Sequence, residues 1–511
     1  MIAASRSDLE VVVVGAGFSG ICAAIRLRQV GIHDFVVLEK ADDVGGIWRD
    51  NTYPDVGVDI PIWGYCFSFE PNPDWRHAYA KGHELQIYAD RCVEKYGVRE
   101  HLRLGTEVTG MRFDDDLDLW VLQTGRGPIR ARFVINAYGA LGHPKMPDIP
   151  GLDSFGGAVI HSARWDHTVS LASRVGVIGT GSSAVQIIPE AAERAERLTV
   201  FQRTPIWVIP KPDFRIPRLL RMGFRMFPFM LRFARWIVLL WLEVLYNGVF
   251  RFKLPFAVTA LEWLAGTALR AQVPDLELRA RLSPHYRFGC KFLTLSNRYY
   301  KTFARDNVRL VPENIESVDA TGVVTADGQH HELDTLVMAT GFEVFERTSL
   351  PRYPITGTGG VDLGDYLHDN RNVCYEGVTL PPCPNAFIIH GPYSMTGSFF
   401  VTIENAVAHA VRCITEAQGR GATRVAVKAE PYARFAKEMI ARQARSIFYN
   451  SDCELARSFY FDQHGDVPLF RPSTSVEAWW RMRRFPLADY AFSTCAAAGQ
   501  REQRAGQREA S

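Results

Sequence analysis

Glu10-Val11-Val12-Val13-Val14-Gly15-Ala16-Gly17-Phe18-Ser19-Gly20 is a β-branched apolar run that stops at a Gly-x-Gly-x-x-Gly turn. Four consecutive valines favour a buried strand, the Ala- and Ile-rich segment to Val30 reads as a helix, and Phe35 to Glu39 reads as the next strand. Together they make a βαβ unit. Each glycine has a task there. Gly15 allows the tight turn, Gly17 lets backbone approach a pyrophosphate, and Gly20 lets the helix pack on the strand. The helix N-terminus then faces the phosphates. Glu39 stands 19 residues after Gly20 at the end of the second strand, where a carboxylate accepts ribose hydroxyls and repels a 2′-phosphate. This turn is expected to hold FAD or NAD and not NADP.

A second unit begins at Arg174-Val175-Gly176-Val177-Ile178, turns at Gly179-Thr180-Gly181-Ser182-Ser183-Ala184, and runs through a helix into Leu198-Thr199-Val200-Phe201. Its third glycine is replaced by Ala184. Where the first unit has an acid, this one has Arg203 and Thr204, a guanidinium and a hydroxyl suited to a 2′-phosphate, so NADPH is expected here. The fold class is therefore α/β, with two Rossmann-like dinucleotide-binding domains. Two such sites on one chain imply hydride transfer from NADPH to a flavin. A redox-active Cys-x-x-Cys or Cys-x-x-x-x-Cys is missing, which excludes the disulfide reductases and leaves oxygen as the obvious electron sink.

Around these units, residues 1–147 read as the first part of the FAD domain and 148–335 as the NADP domain. The latter contains a mostly helical insertion at about 211–288. Residues 336–492 read as the return to the FAD domain with a helical C-terminal segment, and 493–511 as a disordered tail rich in Gln, Arg, Glu and Ala. The uncharged stretch from Gly377 to Ile403, broken by several Pro and Gly, reads as pocket-lining loops and suggests a lipophilic substrate.

Lys and Arg number 58 and Asp and Glu 56, a formal charge of +2, which argues against nucleic acid as a main partner. That balance hides an asymmetry. Between Phe214 and Lys253 there are eight basic residues and one acid, Glu243, among many apolar ones, a composition that suits peripheral contact with a membrane surface through 214–253. Trp236 to Phe250 is too short to span a bilayer. Nine cysteines, an odd number without Cys-x-x-Cys, fit neither a disulfide framework nor a zinc ribbon, so no metal is expected. With no apolar export signal before Val11, a reducing cytoplasm is the expected location.

Phe155-Gly156-Gly157-Ala158-Val159-Ile160-His161-Ser162-Ala163-Arg164-Trp165-Asp166 resembles the Phe-x-Gly-x-x-x-His-x-x-x-Trp-(Pro/Asp) fingerprint of Baeyer–Villiger monooxygenases, a branch of the flavin-containing monooxygenases. Gly45-Gly46-Ile47-Trp48, Tyr53-Pro54 with Asp59, Tyr65, and Ala339-Thr340-Gly341-Phe342 extend the resemblance over about residues 9 to 490. It implies that Gly15, Gly17, Phe18, Ser19, Gly20, Glu39, Gly46, Ile47, Trp48, Asp59, Tyr65 and Val108 contact FAD. It likewise implies that Gly179, Thr180, Gly181, Ser182, Ser183, Ala184, Val185, Arg203, Thr204 and Lys291 contact NADP. His161 belongs to a stretch that joins the domains and does no direct chemistry. The implied reaction uses O2 and a C4a-(hydro)peroxyflavin to convert a ketone into an ester or lactone.

One departure stands out. The family's adjacent Lys-Arg reads Lys291-Phe292 here, so the Arg that stabilises anionic oxygen in the family is missing and Asp59 loses its expected partner. Asp59 and Lys291 are the expected catalytic residues, with Lys291 or Arg298 supplying the cation. The alternatives are sulfide or amine oxygenation, an uncoupled NADPH oxidase, or a flavoprotein reductase at a membrane.

Overall fold

The computed structural model describes residues 8–139, 141–344, 352–456 and 458–495. Strand Leu9–Val14, helix Phe18–Gln29 and strand Phe35–Leu38 form the expected βαβ unit, and the valines of the first strand are almost fully buried. The strand can be apolar on both faces because it lies inside a parallel sheet between Phe35–Leu38 and Ile129–Asn136. The eight-stranded sheet runs outward through Leu102–Arg103 on one side. On the other it continues through the antiparallel hairpin Leu119–Thr124 and Val108–Asp114 to Ile355–Thr356.

The second domain is a wholly parallel five-stranded sheet in the order Val308–Val311, Arg197–Phe201, Arg174–Ile178, Thr335–Met338, Ala158–His161. Here the sequence-based boundary fails. A division at 335/336 cuts through Thr335–Met338, which pairs with Arg174–Ile178 and closes the second sheet. The return to the first sheet is made later, by Ile355–Thr356 and Ala386–Ile388. A buried parallel strand reads alike in either sheet, so only its partners assign it.

Two further readings change for the same kind of reason. The stretch 377–403 lacks charge because it is interior: it contains the sheet strand Ala386–Ile388 and the start of helix Phe399–Arg420, with mostly buried turns before and after the strand. The tail reading at Ser493 is also corrected, since Tyr490–Ser493 pairs with Arg424–Val427; residues 496–511 lie outside the described ones.

The insertion is helical, as expected. It is bracketed by a short parallel pairing of Val208–Ile209 with Thr294–Leu295. Between them come helices Arg218–Met226, Pro228–Leu245, Pro255–Gln272 and Leu276–Leu282, with a π-turn at Tyr246–Phe250. No helix among the described residues is long and apolar enough to cross a membrane. The cysteine reading needs correction: Cys290, at the end of the insertion, is disulfide-bonded to Cys453, 163 residues on. A pair so far apart leaves no spacing signature.

Candidate active site

The first turn is built by close approaches that forbid side chains. Gly15 has φ +99°, and a Cβ on Gly20 would lie 1.8 Å from the Gly15 carbonyl oxygen. Gly17 is different: its added Cβ would meet nothing nearer than Gly46 Cα at 3.7 Å. The helix that follows is N-capped by Gly17 without a side-chain hydrogen bond, so the amides of Phe18, Ser19 and Gly20 face outward as phosphate donors. The Gly45-Gly46 turn, with φ of +109° and +57°, sits against Gly17 and launches the short helix Ile47–Asp50.

Glu39 is 5% exposed. It accepts hydrogen bonds from the amides of Ala16 at 2.8 Å and Ala41 at 3.0 Å, and from Arg49 Nη1 at 3.3 Å. These fix the carboxylate at the turn and offset the cost of burying its charge. Val108 begins the strand after Thr106, whose amide bonds Glu39 O at 2.8 Å. Trp48 meets Tyr65 edge-on at 5.7 Å, and Tyr65 meets Phe400 at 5.0 Å, with Phe18 against the same Phe400 ring at 4.9 Å. The structure thus brings Phe18, Trp48 and Tyr65 together in one aromatic cluster, through a residue from the far end of the chain.

The second turn repeats the logic. Gly179 has φ +114°, and a Cβ at Gly181 would meet nothing within 4 Å. Gly181 caps helix Ser182–Arg194, again without a side-chain bond, leaving the amides of Ser182, Ser183 and Ala184 outward. Val185 is the exception among the expected contacts. Its side chain is fully buried in the second core and its amide already bonds Gly181 O at 3.0 Å, so it supports the helix and offers no donor. Thr180 Oγ1 donates to Thr204 O at 2.8 Å, tying the turn to the strand end that carries exposed Arg203. Lys291 lies over the Tyr286 ring, 5.5 Å from its centroid. Burial, and after it the charge of Arg203, pulls the Lys291 pKa down to about 8. Two neighbouring cations that repel each other suit an anion between them. Both turns therefore fit dinucleotides, the second one carrying a 2′-phosphate.

The domains meet at Tyr53–Asp59. Tyr53 Oη donates to Gln186 Oε1 at 3.1 Å, and Gln186 exchanges hydrogen bonds with the Gly57 amide and carbonyl at 3.2 and 3.1 Å. Helix Ser182–Arg194 is in this way docked on the segment that ends in Asp59. The expected cation beside Asp59 is not Lys291 and not Arg298. Arg298 is held by Glu190 and Glu193, each at 2.6 Å. The cation is Lys211, whose Nζ lies 3.3 Å from Asp59 Oδ1, donates to Val58 O at 2.8 Å, and sits 5.0 Å from the Tyr79 ring centroid. Lys211 follows the strand Val208–Ile209 and is fixed by two hydrogen bonds to Asn297. Burial pushes the Asp59 carboxyl up to about 6, and Lys211 opposes that rise.

Phe292 packs among rings: it stacks on Phe459 at 6.2 Å and meets Tyr460 edge-on at 5.5 Å. The fingerprint residues sit between the domains. His161 closes strand Ala158–His161, accepts from the Ala163 amide at 3.1 Å through Nδ1, and meets the Phe342 ring at 6.2 Å. Lys211, Arg49 and Gln186 escaped sequence reading. Only the Gln186 position, on the first turns of a nucleotide helix, carries any local signal.

A family model described as pyridine nucleotide-disulphide oxidoreductase matches residues 12–217. A Baeyer-Villiger monooxygenase of Streptomyces coelicolor is 37% identical over 491 residues, covering 95% of this chain and 93% of that protein. One of Pseudomonas aeruginosa is 35% identical over 88% of this chain and 85% of its own length. Among solved structures, cyclohexanone monooxygenase from Rhodococcus sp. Phi1 bound to NADP+ superposes with a TM-score of 0.85 at 27% identity, covering 96% of this chain and all of that one. Oxidized steroid monooxygenase bound to NADP superposes with a TM-score of 0.84 at 30% identity, covering 95% of this chain and 99% of that one. The likeness runs through both nucleotide turns and the junction between them, and this chain belongs to the Baeyer–Villiger monooxygenase family.

Proposed function

We propose that this flavoprotein monooxygenase, using FAD at the first turn and NADPH at the second, inserts one atom of O2 into a lipophilic ketone to give an ester or lactone. The balance is ketone, O2, NADPH and a proton in; ester, NADP+ and water out. A relative solved as a complex with FAD and NADP, named OTEMO, supports the cofactor pair. Held there, FAD would supply hydride acceptance from NADPH and oxygen activation. The rest falls to the chain's own residues.

Glu39 and the amides of Phe18, Ser19 and Gly20 hold the first dinucleotide. The amides of Ser182, Ser183 and Ala184, with Arg203, Thr204 and Lys291, hold the second. The observation that carries the ketone reading is the Lys211–Asp59 pair. It supplies, from a different element, the cation beside the Asp59 carboxylate that Phe292 at first sight removes. Lys211 orients Asp59 and presents positive charge where negative charge develops on a ketone oxygen, an arrangement worth about 10²- to 10³-fold in rate when a preorganised donor is deleted.

The test is incubation with NADPH, labelled O2 and a ketone panel. Ester carrying one labelled oxygen per NADPH consumed is expected; peroxide equal to NADPH, with no ester, overturns the reading. Sulfide or amine oxygenation is a second reading, favoured by Phe292 and by the raised Asp59 carboxyl, and the same assay with thioethers measures it.

A further inference from the structure

The outward face of the insertion is built against the usual logic of a protein surface. In helix Pro228–Leu245, Phe229, Phe233, Trp236, Ile237, Leu240 and Val244 fall within roughly a 100° arc and are all exposed, Phe229 by 67% and Phe233 by 60%. The opposite side of the same helix, at Leu231, Val238 and Leu242, is buried. The preceding helix continues the pattern with Leu219, Met222 and Met226, one turn apart and exposed. A third segment joins them. Helix Ser475–Arg484 begins against Glu243, which accepts from the Ser475 amide at 3.0 Å, and it exposes Val476, Trp479 and Trp480. Half-exposed side chains of this size expose on the order of 1,000 Å² in all, above the few hundred Å² of an ordinary surface patch.

Charge is arranged as tightly as apolar area. Glu243, the acid of this region, is turned inward onto Asn247 and Ser475. Arg235 is turned inward onto Cys66 O, and Arg225 is paired with Asp74. Of the other bases in this segment, Arg221 and Arg251 are half-buried, Lys253 is exposed beyond the π-turn, and Arg215, Arg218 and Arg232 are exposed on or just before the two helices that carry the apolar stripe. A two-fold dimer packed on this face would place the arginines nearest its axis against their own copies.

We propose that this face docks on an anionic phospholipid bilayer, lying in the headgroup plane with the apolar stripe in the acyl boundary and the arginines among the phosphates. The placement bears on the site. Val238 packs on Gly64, whose added Cβ would come within 2.6 Å of it, and Gly64 adjoins Tyr65. The bilayer would thus lie one helix diameter, about 10 Å, from the site wall. The inference does not depend on which reaction the site performs.

The test uses the full-length holoprotein with phosphatidylcholine vesicles, with and without phosphatidylserine, at low and molar salt. Co-sedimentation with the anionic vesicles is expected, weakened on the order of 100-fold on neutral ones or at molar salt, from three arginines near the surface. Quenching of the exposed tryptophans by brominated lipid is expected as well. Phe233→Glu with Trp236→Glu should abolish sedimentation while the melting curve and turnover of a water-soluble ketone stay as they were. Absence of both sedimentation and quenching, sedimentation undiminished in the double variant, or a dimer that the double variant dissolves without any vesicle binding would each overturn the proposal.

Discussion

Replacing Lys211 by Met removes the ammonium from beside Asp59 while keeping the aliphatic stem over Tyr79. Lys211 Nζ is 3.3 Å from Asp59 Oδ1, and the two side chains are only 15% and 17% exposed, so solvent screens the pair weakly. A hydrogen bond between charged groups in such a setting contributes about 1.5–3 kcal/mol, equivalent to roughly one to two pKa units. The Asp59 carboxyl, about 6 with Lys211 present, should then titrate near roughly 7 to 8.

The sign follows from linkage. A carboxyl raised in the fold leaves the protein relatively most stable below its unfolded value of 3.8, and the cost of ionising it sets in as pH climbs towards 6 and stays level above. In Lys211→Met that window extends by the same one to two units. The melting deficit of the variant relative to wild type should therefore be larger at pH 8.5 than at pH 5. The assay of function is the pH profile of kcat/KM for ketone oxygenation. If the ionised pair is required, the acid limb moves from about 6 to roughly 7 to 8, kcat drops about 10²- to 10³-fold, and Lys211→Arg recovers most of both. An acid limb unmoved in Lys211→Met, or one that persists unchanged in Asp59→Asn, refutes the assignment.

The glycines separate fold from binding. Gly20→Ala drives a Cβ into the Gly15 carbonyl and should yield little folded protein, whereas Gly17→Ala meets only ordinary contacts and should melt normally yet purify without yellow colour; equal flavin content in Gly17→Ala refutes the reading. Arg203→Ala should raise the KM for NADPH by about 10- to 150-fold with little change for NADH, from the loss of a charged hydrogen bond. Because the free Lys291 ammonium titrates near 8, the wild-type KM for NADPH should rise above that pH, and a flat profile argues against Lys291 as a phosphate ligand. Alkylation of unfolded, unreduced protein should label seven cysteines, leaving Cys290 and Cys453; nine labelled thiols would refute the bond.

The two nucleotide units were legible from sequence because their constraints are local. A buried strand, a turn without Cβ atoms and an acid or arginine at the next strand's end all fall within a few dozen residues, so Val11 to Glu39 and Arg174 to Thr204 declare themselves. The same locality made the helical insertion and its excess of arginine visible. Nothing local assigns Thr335–Met338 to the second sheet, since a buried parallel strand carries the same apolar residues whichever neighbours it pairs with.

The site divides along the same line. Glu39, Arg203 and Lys291 follow from motif and resemblance, and so does the loss of the family's Arg at Phe292. Which cation stands beside Asp59 is a matter of folding alone: Lys211 reaches it across 152 residues of chain because the strand Val208–Ile209 ends where the domains meet. Likewise the sequence shows that Phe214 to Lys253 is both basic and apolar. Only the packing of Val238 and Leu242 on Gly64 and Gly397 decides which rings are core and which face outward. Composition and spacing record what each segment can do by itself, while charge partners and exposed faces depend on distances between segments that only the folded chain sets.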